Sequence, residues 1–228
     1  MNTPLSNQEL AVLQRIPTPT ISNAIEKFNL RGRDSGFTSG IHCLFPELGA
    51  VVGYAGTATV RSARAPAGNT LPLRRRYWEY LRDLPKPTIV VMRDLDNPPL
   101  GAFWGEVNAN IHRALGCAGV VVEGTVRDLD EVRGLGFHFF ASAVSVSHAY
   151  AHLDDFGKPV QVGGLTVQSG DLIHADKHGV MVIPHQVARE VAAAAAEVEK
   201  YERPIISLCK SPEFSIDKLE ELFKREVI

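Results

Sequence analysis

Two short stretches, IVVM in PTIVVMRDL (residues 87–95) and VVV in AGVVVEG (118–124), are apolar at consecutive rather than alternate positions. A strand with one wet face alternates apolar and polar residues, so a short run apolar throughout reads as a strand buried on both faces. Turn residues bound both runs. The segment between them, EVNANIHRAL, has helical spacing, and Gly116 stands just beyond its end, where glycine commonly closes a helix. This helix–strand grammar commits the chain to an α/β core. It also brings two points of the sequence together. A ten-residue helix is about 15 Å long, close to the length of a five-residue strand. A helix running back along the strand that follows it therefore sets its N-terminus near that strand's C-terminal end. Glu106 and Asp128, at the two ends of the unit, share one edge of the sheet.

The rest of the chain surrounds this unit. LSNQELAVLQRI and ISNAIEKF read as N-terminal helices over about residues 5–28, the second capped by Thr20 or Ser22. Residues 29–40, rich in glycine and charge, read as a surface loop. In GAVVGYAGTATVRSA, β-branched runs are broken by glycines, which suggests short strands with a bend or bulge. RRRYWEYLRDL reads as a helix, GFHFFASAVSV as a strand, and GKPVQVGGLTVQSGDLIHADKHGVMVIP as strands and turns. The expected core spans about 41–184. QVAREVAAAAAEVEKYE opens a helical region over about 185–228, whose tail ends in one more amphipathic helix. No linker or internal repeat divides the 228 residues, so a single domain is expected.

Composition narrows the function by exclusion. A net charge of −2 gives no reason to expect nucleic-acid or anionic-membrane binding, and no apolar run is long enough to span a bilayer. MNTPLSNQEL has neither the basic nor the apolar region of a signal peptide. The three cysteines, Cys43, Cys117 and Cys209, are far apart and in no metal-ligand spacing. A reducing cytoplasm is the expected setting.

Arg127 and Asp128 follow the second buried strand directly, at the carboxyl edge where α/β sheets bind ligands. An arginine offers a fork of donors matched to a carboxylate, and an adjacent aspartate can hold a hydrated divalent cation by one oxygen. The same residues have a plainer reading. Asp128-Leu-Asp-Glu131 resembles a capping box, and Arg127 can pair with Glu131 on the surface. Gly105 and Glu106 open a helix whose first N–H groups lack internal partners, an end suited to an anion. A substrate carboxylate would lie on the N–H groups of Glu106, Val107 and Asn108. Glu106 alone is equally an acid placed in a first turn to suit the helix dipole.

The acid, the twenty intervening residues and the Arg-Asp pair, inside WGEV…GCAGVVVEGTVRD, resemble the class II 4-hydroxy-4-methyl-2-oxoglutarate aldolases and their RraA-like relatives. TPTISNAIEKFN, VVGYAGTATV and GGLTVQSGDLIHADKHGVMVIP agree in order along nearly the whole chain. The resemblance implies a swivelling β/β/α domain assembled as a homotrimer or homohexamer. It implies that Arg127 holds the 2-oxo acid part of the substrate and that Asp128 carries Mg²⁺ or Mn²⁺. Glu106 would act on metal-coordinated water, and the backbone from Gly105 to Asn108 would receive a pyruvate-like carboxylate. The implied reaction is cleavage of a C–C bond next to a 2-oxo acid, by retro-aldol or decarboxylation, through a pyruvate enolate. The competing class is a non-enzymatic regulator of the RraA kind, an inhibitor of an RNA-degrading endonuclease in which the Asp after the Arg is absent. Its presence here favours the enzyme. A methyltransferase reading is set aside, since no glycine-rich loop follows a first strand.

The chain departs from the family in places. Asn23 stands where the family often has Asp, and residues 72–85, PLRRRYWEYLRDLP, look unusual and are expected to reshape the mouth of the site. The family also borrows a glutamate from a neighbouring subunit's C-terminal helix, for which Glu197, Glu199 and Glu202 are candidates. His148 and His152 have a zinc-like spacing only if helical, and their context is strand and loop. His174 and His178 flank Asp176 in an expected turn. Glu123 is expected beside the site or as a paired core acid. The arginines and aromatics of RRRYWEYLRDL read as a solvated helix face before they read as an RNA surface.

Overall fold

The computed structural model describes residues 3–224. Helices α1 (Asn7–Gln14) and α2 (Thr18–Glu26) come first, then the short β1 (His42–Cys43) and the long β2 (Val51–Arg61). Three strand–helix alternations follow. They are α3 (Leu71–Asp83) with β3 (Thr88–Asp94), α4 (Glu106–Ala114) with β4 (Cys117–Val126), and α5 (Leu129–Gly134) with β5 (His138–Val144). The chain closes with β6 (His152–Phe156), the hairpin β7 (Val160–Val162) and β8 (Leu165–Val167), the pair β9 (Leu172–Asp176) and β10 (Gly179–Ile183), and helices α6 (Val191–Cys209) and α7 (Ile216–Lys224).

One mixed sheet runs in the order β1-β5-β4-β3-β2-β9-β10, with β2, β3, β4 and β5 mutually parallel. Strand β2 is long enough to serve two neighbours along one edge. Val51–Tyr54 pairs with β9 and Ala58–Arg61 pairs with β6, with a register shift at Thr59/Val60. The sequence suggested several short strands there, broken by glycines. The glycines do not break β2; they let other backbone and side chains come close. A Cβ on Gly53 would sit 2.6 Å from the Pro87 carbonyl oxygen, and one on Gly56 would sit 2.7 Å from Leu81 Cδ2.

The consecutive apolar residues divide between the two faces, as their pattern requires. Val90, Met92, Val120, Val122 and Phe139 join the core under α3, α4 and α5, with Trp104 and Tyr77. Ile89, Val91, Val121 and Phe140 face the β7–β8 hairpin, with Val160, Val162, Leu165 and Val167. A third cluster packs α1, α2 and the start of α6 against β9, β10 and the first half of β2. Helix α1 starts at a complete capping box, Ser6 with Glu9. Helix α2 corrects the expected caps. It begins at Thr18 behind Pro17, with no side-chain cap, so Thr20 and Ser22 lie inside it. The long C-terminal helix runs through Pro204 to Cys209. Among the described residues, no helix is long and apolar enough to cross a membrane.

Candidate functional site

The site is assembled by three segments that extend the sheet beyond β4. Trp104 bridges Val126 in parallel fashion, and the Arg127 N–H donates to the Trp104 carbonyl at 3.0 Å. On either side, Ser145 N–H donates to Val126 O and Ala102 N–H to Ser147 O. Trp104 fixes this junction. It is fully buried, its Nε1–H points to Met92 Sδ at 3.1 Å, and it packs on Phe137 and His112. The first turn of α4 is thus anchored beside the end of β4.

There the two acids separated in sequence meet. Asp128 Oδ2 accepts the backbone N–H of Glu106 at 2.9 Å, with Arg127 Nε 3.7 Å from the same oxygen. Asp128 does stand at the N-cap of α5, but its side chain makes no bond to that helix. Its backbone is left-handed, φ 57° and ψ 49°, a conformation that costs a non-glycine residue about 1–2 kcal/mol. That conformation aims the carboxylate at α4 instead of α5. Arg127 pairs with Asp128 and not with Glu131. Gly105 is required by the close approach: a Cβ there would lie 2.4 Å from Asp128 Oδ2 and 3.1 Å from Arg127 Cγ.

Gly105, Val107, Asn108, Arg127 and Asp128 line a cleft of about 240 Å³. The Val107 and Asn108 N–H groups belong to the helix's first turn, where no helical carbonyl precedes them. The exposed Glu106 stands at the rim and not in the wall. Two wall residues were not anticipated, Arg74 from α3 and His148 from the loop before β6. Arg74 Nη2 is 3.4 Å from Asn108 Oδ1, and its guanidinium lies 5.4 Å from the Trp78 ring centroid. His148 Nδ1 meets the Ala149 carbonyl at 2.7 Å. A carbonyl only accepts, so Nδ1 carries a proton, and in the neutral tautomer Nε2 is the acceptor. The sequence did mark both regions, the arginine-aromatic stretch and the SHAYAH histidines. Which helix face or loop side met the cleft was a tertiary matter.

Buried polar groups brace these walls. His112 on α4 is fully buried, its Nδ1 donating to Asn108 O at 2.6 Å and its Nε2 accepting from Tyr77 OH on α3 at 3.1 Å. Burial pushes its pKa down to about 4, so it stays neutral and ties α3 to α4. Other candidates fall outside the site. Glu123 lies on the hairpin face, accepting the Gly163 N–H at 2.8 Å, because alternation along β4 turns it away from the cleft. His174 and Asp176 lie in β9, not in a turn. His174 is buried between Thr18 Oγ1 and the Leu13 carbonyl, and His178 follows in the turn, held by Asp176. His148 and His152 are not on a helix. Glu197 is tied to Lys27 of its own chain, while Glu199 is exposed and Glu202 partly so.

The model of the RraA-like family, aldolase/RraA, matches residues 18–182. The chain belongs to this family. A relative from Halalkalibacterium halodurans, named "Putative 4-hydroxy-4-methyl-2-oxoglutarate aldolase", is 29% identical over 195 residues, 83% of this chain and 85% of that one. An uncharacterized protein from Pseudomonas syringae has the same fold, with a TM-score of 0.76, 26% identity and coverage of 99% and 97%. RraAS2 of Streptomyces coelicolor, described as an unusual member of the RNase ES inhibitor RraA family, superposes with a TM-score of 0.70 at 22% identity over 88% and 96%. The swivelling β/β/α arrangement of the RraA-like fold is therefore this chain's arrangement, with its terminal helices outside the sheet.

Proposed function

We propose that this RraA-like chain is a divalent-metal-dependent lyase that cleaves a C–C bond of a 2-oxo acid through a pyruvate enolate. Its substrate would be 4-hydroxy-4-methyl-2-oxoglutarate, as an aldolase, or oxaloacetate, as a decarboxylase. The observation that carries this reading is Asp128 reaching the first turn of α4 beside Arg127, at the wall of one cleft. Among the described residues no three His, Cys, Asp or Glu side chains converge as a ready-made cage. The donor set fits Mg²⁺ or Mn²⁺, which accept one carboxylate and keep several waters. Asp128 Oδ2 is engaged by Glu106 N–H and Arg127, which leaves Oδ1 for a cation. A divalent ion held there supplies a Lewis acid for the oxygens of the 2-oxo acid.

The chain's own groups do the remaining work. The Val107 and Asn108 N–H groups and the α4 dipole receive the substrate carboxylate. Arg127 sets a fixed positive charge against the oxygen that becomes negative in the enolate. Glu106, by way of a water at the rim, takes the hydroxyl proton in retro-aldol cleavage and returns a proton to the enolate carbon. Nε2 of His148, in the wall, is the second group able to hold that proton. Among the described residues no lysine lines the cleft, and a Schiff base has no part in this mechanism. We also take the working form to be a homotrimer or homohexamer, with Glu199 or Glu202 nearest to completing a neighbour's cleft.

The test is pyruvate release from 4-hydroxy-4-methyl-2-oxoglutarate and from oxaloacetate, with Mg²⁺, with EDTA and in Asp128→Ala, after subtraction of uncatalysed metal-driven breakdown. Turnover that needs metal and falls at least about 100-fold in the variant supports the lyase. The competing reading is a non-enzymatic regulator, supported by the family's inhibitor members. Absence of both turnover and Asp128-dependent metal binding would bring it forward.

A further inference from the structure

We propose that Arg74 recognises a second acidic group on the substrate, so that the cleft selects a dianionic 2-oxo acid over a monoanionic one of the same length. This rests on the lyase reading only for which end of the substrate lies on α4 and Arg127. Among the described residues the cleft's wall holds two guanidinium groups and a helix N-terminus against one carboxylate, that of Asp128, with Glu106 at the rim. Arg127 has that carboxylate as its partner. Arg74 pairs with no carboxylate among the described residues. Its contacts are the neutral Asn108 Oδ1 at 3.4 Å and the Trp78 ring.

Those contacts orient the group without using it up. A guanidinium has five N–H donors and Asn108 occupies one, while the Trp78 ring, 5.4 Å from Cζ to centroid, takes up none in a hydrogen bond. Asn108 is itself held, because its Nδ2 donates to the Phe103 carbonyl at 2.5 Å, which turns Oδ1 toward Arg74. The helix carrying Arg74 is braced against α4 through Tyr77 and His112. Arg74 is thus a positioned cation beside the first turn of α4, where the first carboxylate would lie. A carboxylate further along the same substrate is the complementary ligand, since bidentate arginine–carboxylate pairing supplies both charge and direction.

The probes are 2-oxoglutarate and 2-oxopentanoate, which differ only in the distal carboxylate and lack the 4-hydroxyl needed for retro-aldol cleavage. Calorimetric titration of the full chain with Mg²⁺ present is expected to show 2-oxoglutarate binding about tenfold tighter or better. In Arg74→Met that preference should shrink to near parity, and in Arg74→Lys part of it should return. The lysine variant also separates lost recognition from a disturbed helix. Equal binding of the two acids by the native chain overturns the proposal, as does a preference that survives in Arg74→Met or no binding of either acid. If an Arg74-dependent preference is found but no 2-oxo acid is cleaved, the lyase reading fails while this inference stands.

Discussion

At the scale of single residues, the site depends on one absent side chain and one carboxylate with two oxygens to use. Gly105→Ala forces a methyl group into Asp128 Oδ2. The expected cost is about 1–3 kcal/mol in stability and at least about 100-fold in turnover, since an ångström of displacement is enough for that loss. Denaturant unfolding and pyruvate release would be measured together, and an alanine variant with native turnover would show that the approach is not needed. Asp128→Asn divides the roles of the carboxylate differently from Asp128→Ala. Asparagine still offers an oxygen to the Glu106 N–H, so stability should stay within about 1 kcal/mol of native. Metal-dependent turnover should nevertheless be lost with the charge. If Asp128→Asn keeps turnover, the carboxylate is a structural acceptor and nothing more.

At the scale of elements, α4 carries one buried histidine and the sheet two, His138 and His174; burial lowers the pKa of all three and makes the fold acid-sensitive. Burial pushes His112 and His138 down to about 4 from an ordinary value of 6.5. Below about pH 6.5 the unfolded chain takes up protons that the folded chain refuses until about pH 4. Their contribution is therefore complete above pH 6.5, declines as the pH falls through that window, and levels off below it. At pH 5 the two together are expected to cost on the order of 2–4 kcal/mol relative to pH 7. His138, on β5, has a buried Nδ1 with no hydrogen-bond partner and stacks beside Phe140. His138→Phe removes that unsatisfied atom. It should be neutral or stabilising by about 1 kcal/mol at pH 7 and should reduce the loss between pH 7 and pH 5, leaving the share of His112 and His174. Chemical denaturation at the two pH values decides it, and an undiminished loss would place the acid sensitivity elsewhere.

At the scale of the whole molecule, α7 stands out because none of its residues is buried. Its sequence IDKLEELFK nonetheless puts apolar side chains on one face, with Ile216 76% and Phe223 53% exposed. An apolar face on a terminal helix has a natural cover in a second copy of the chain, which agrees with the proposed trimer or hexamer. Sedimentation of the native chain is expected to give three or six times the chain mass. Phe223→Glu, which puts a charge in that face, should shift the population toward smaller species by about tenfold or more in dissociation constant. A native chain that sediments as a monomer removes the assembly, and with it any role for a neighbour's Glu199 or Glu202.

Local pattern determined a good deal here. Consecutive apolar residues marked β3 and β4 because only strands covered on both faces avoid polar positions, and glycine at 116 marked the end of α4 because its φ is 82°. The return of α4 along the strand that follows it put Glu106 and Asp128 at one edge, although β4, at ten residues, is twice the five-residue strand the length argument assumed, and motif spacing pointed to Arg127 and Asp128. What the pattern left open was orientation and company. Whether Asp128 capped its own helix or reached another depended on a left-handed backbone that no spacing encodes. The glycines of β2 look like breaks in one dimension and prove to be points of close approach in three. Arg74 and His148 lie 53 and 20 residues from Arg127 and Asp128 respectively. Only the packing of α3 on α4 and the course of the loop before β6 bring them to the same cleft. A side chain's identity is local, but the direction it faces is set by what its element packs against.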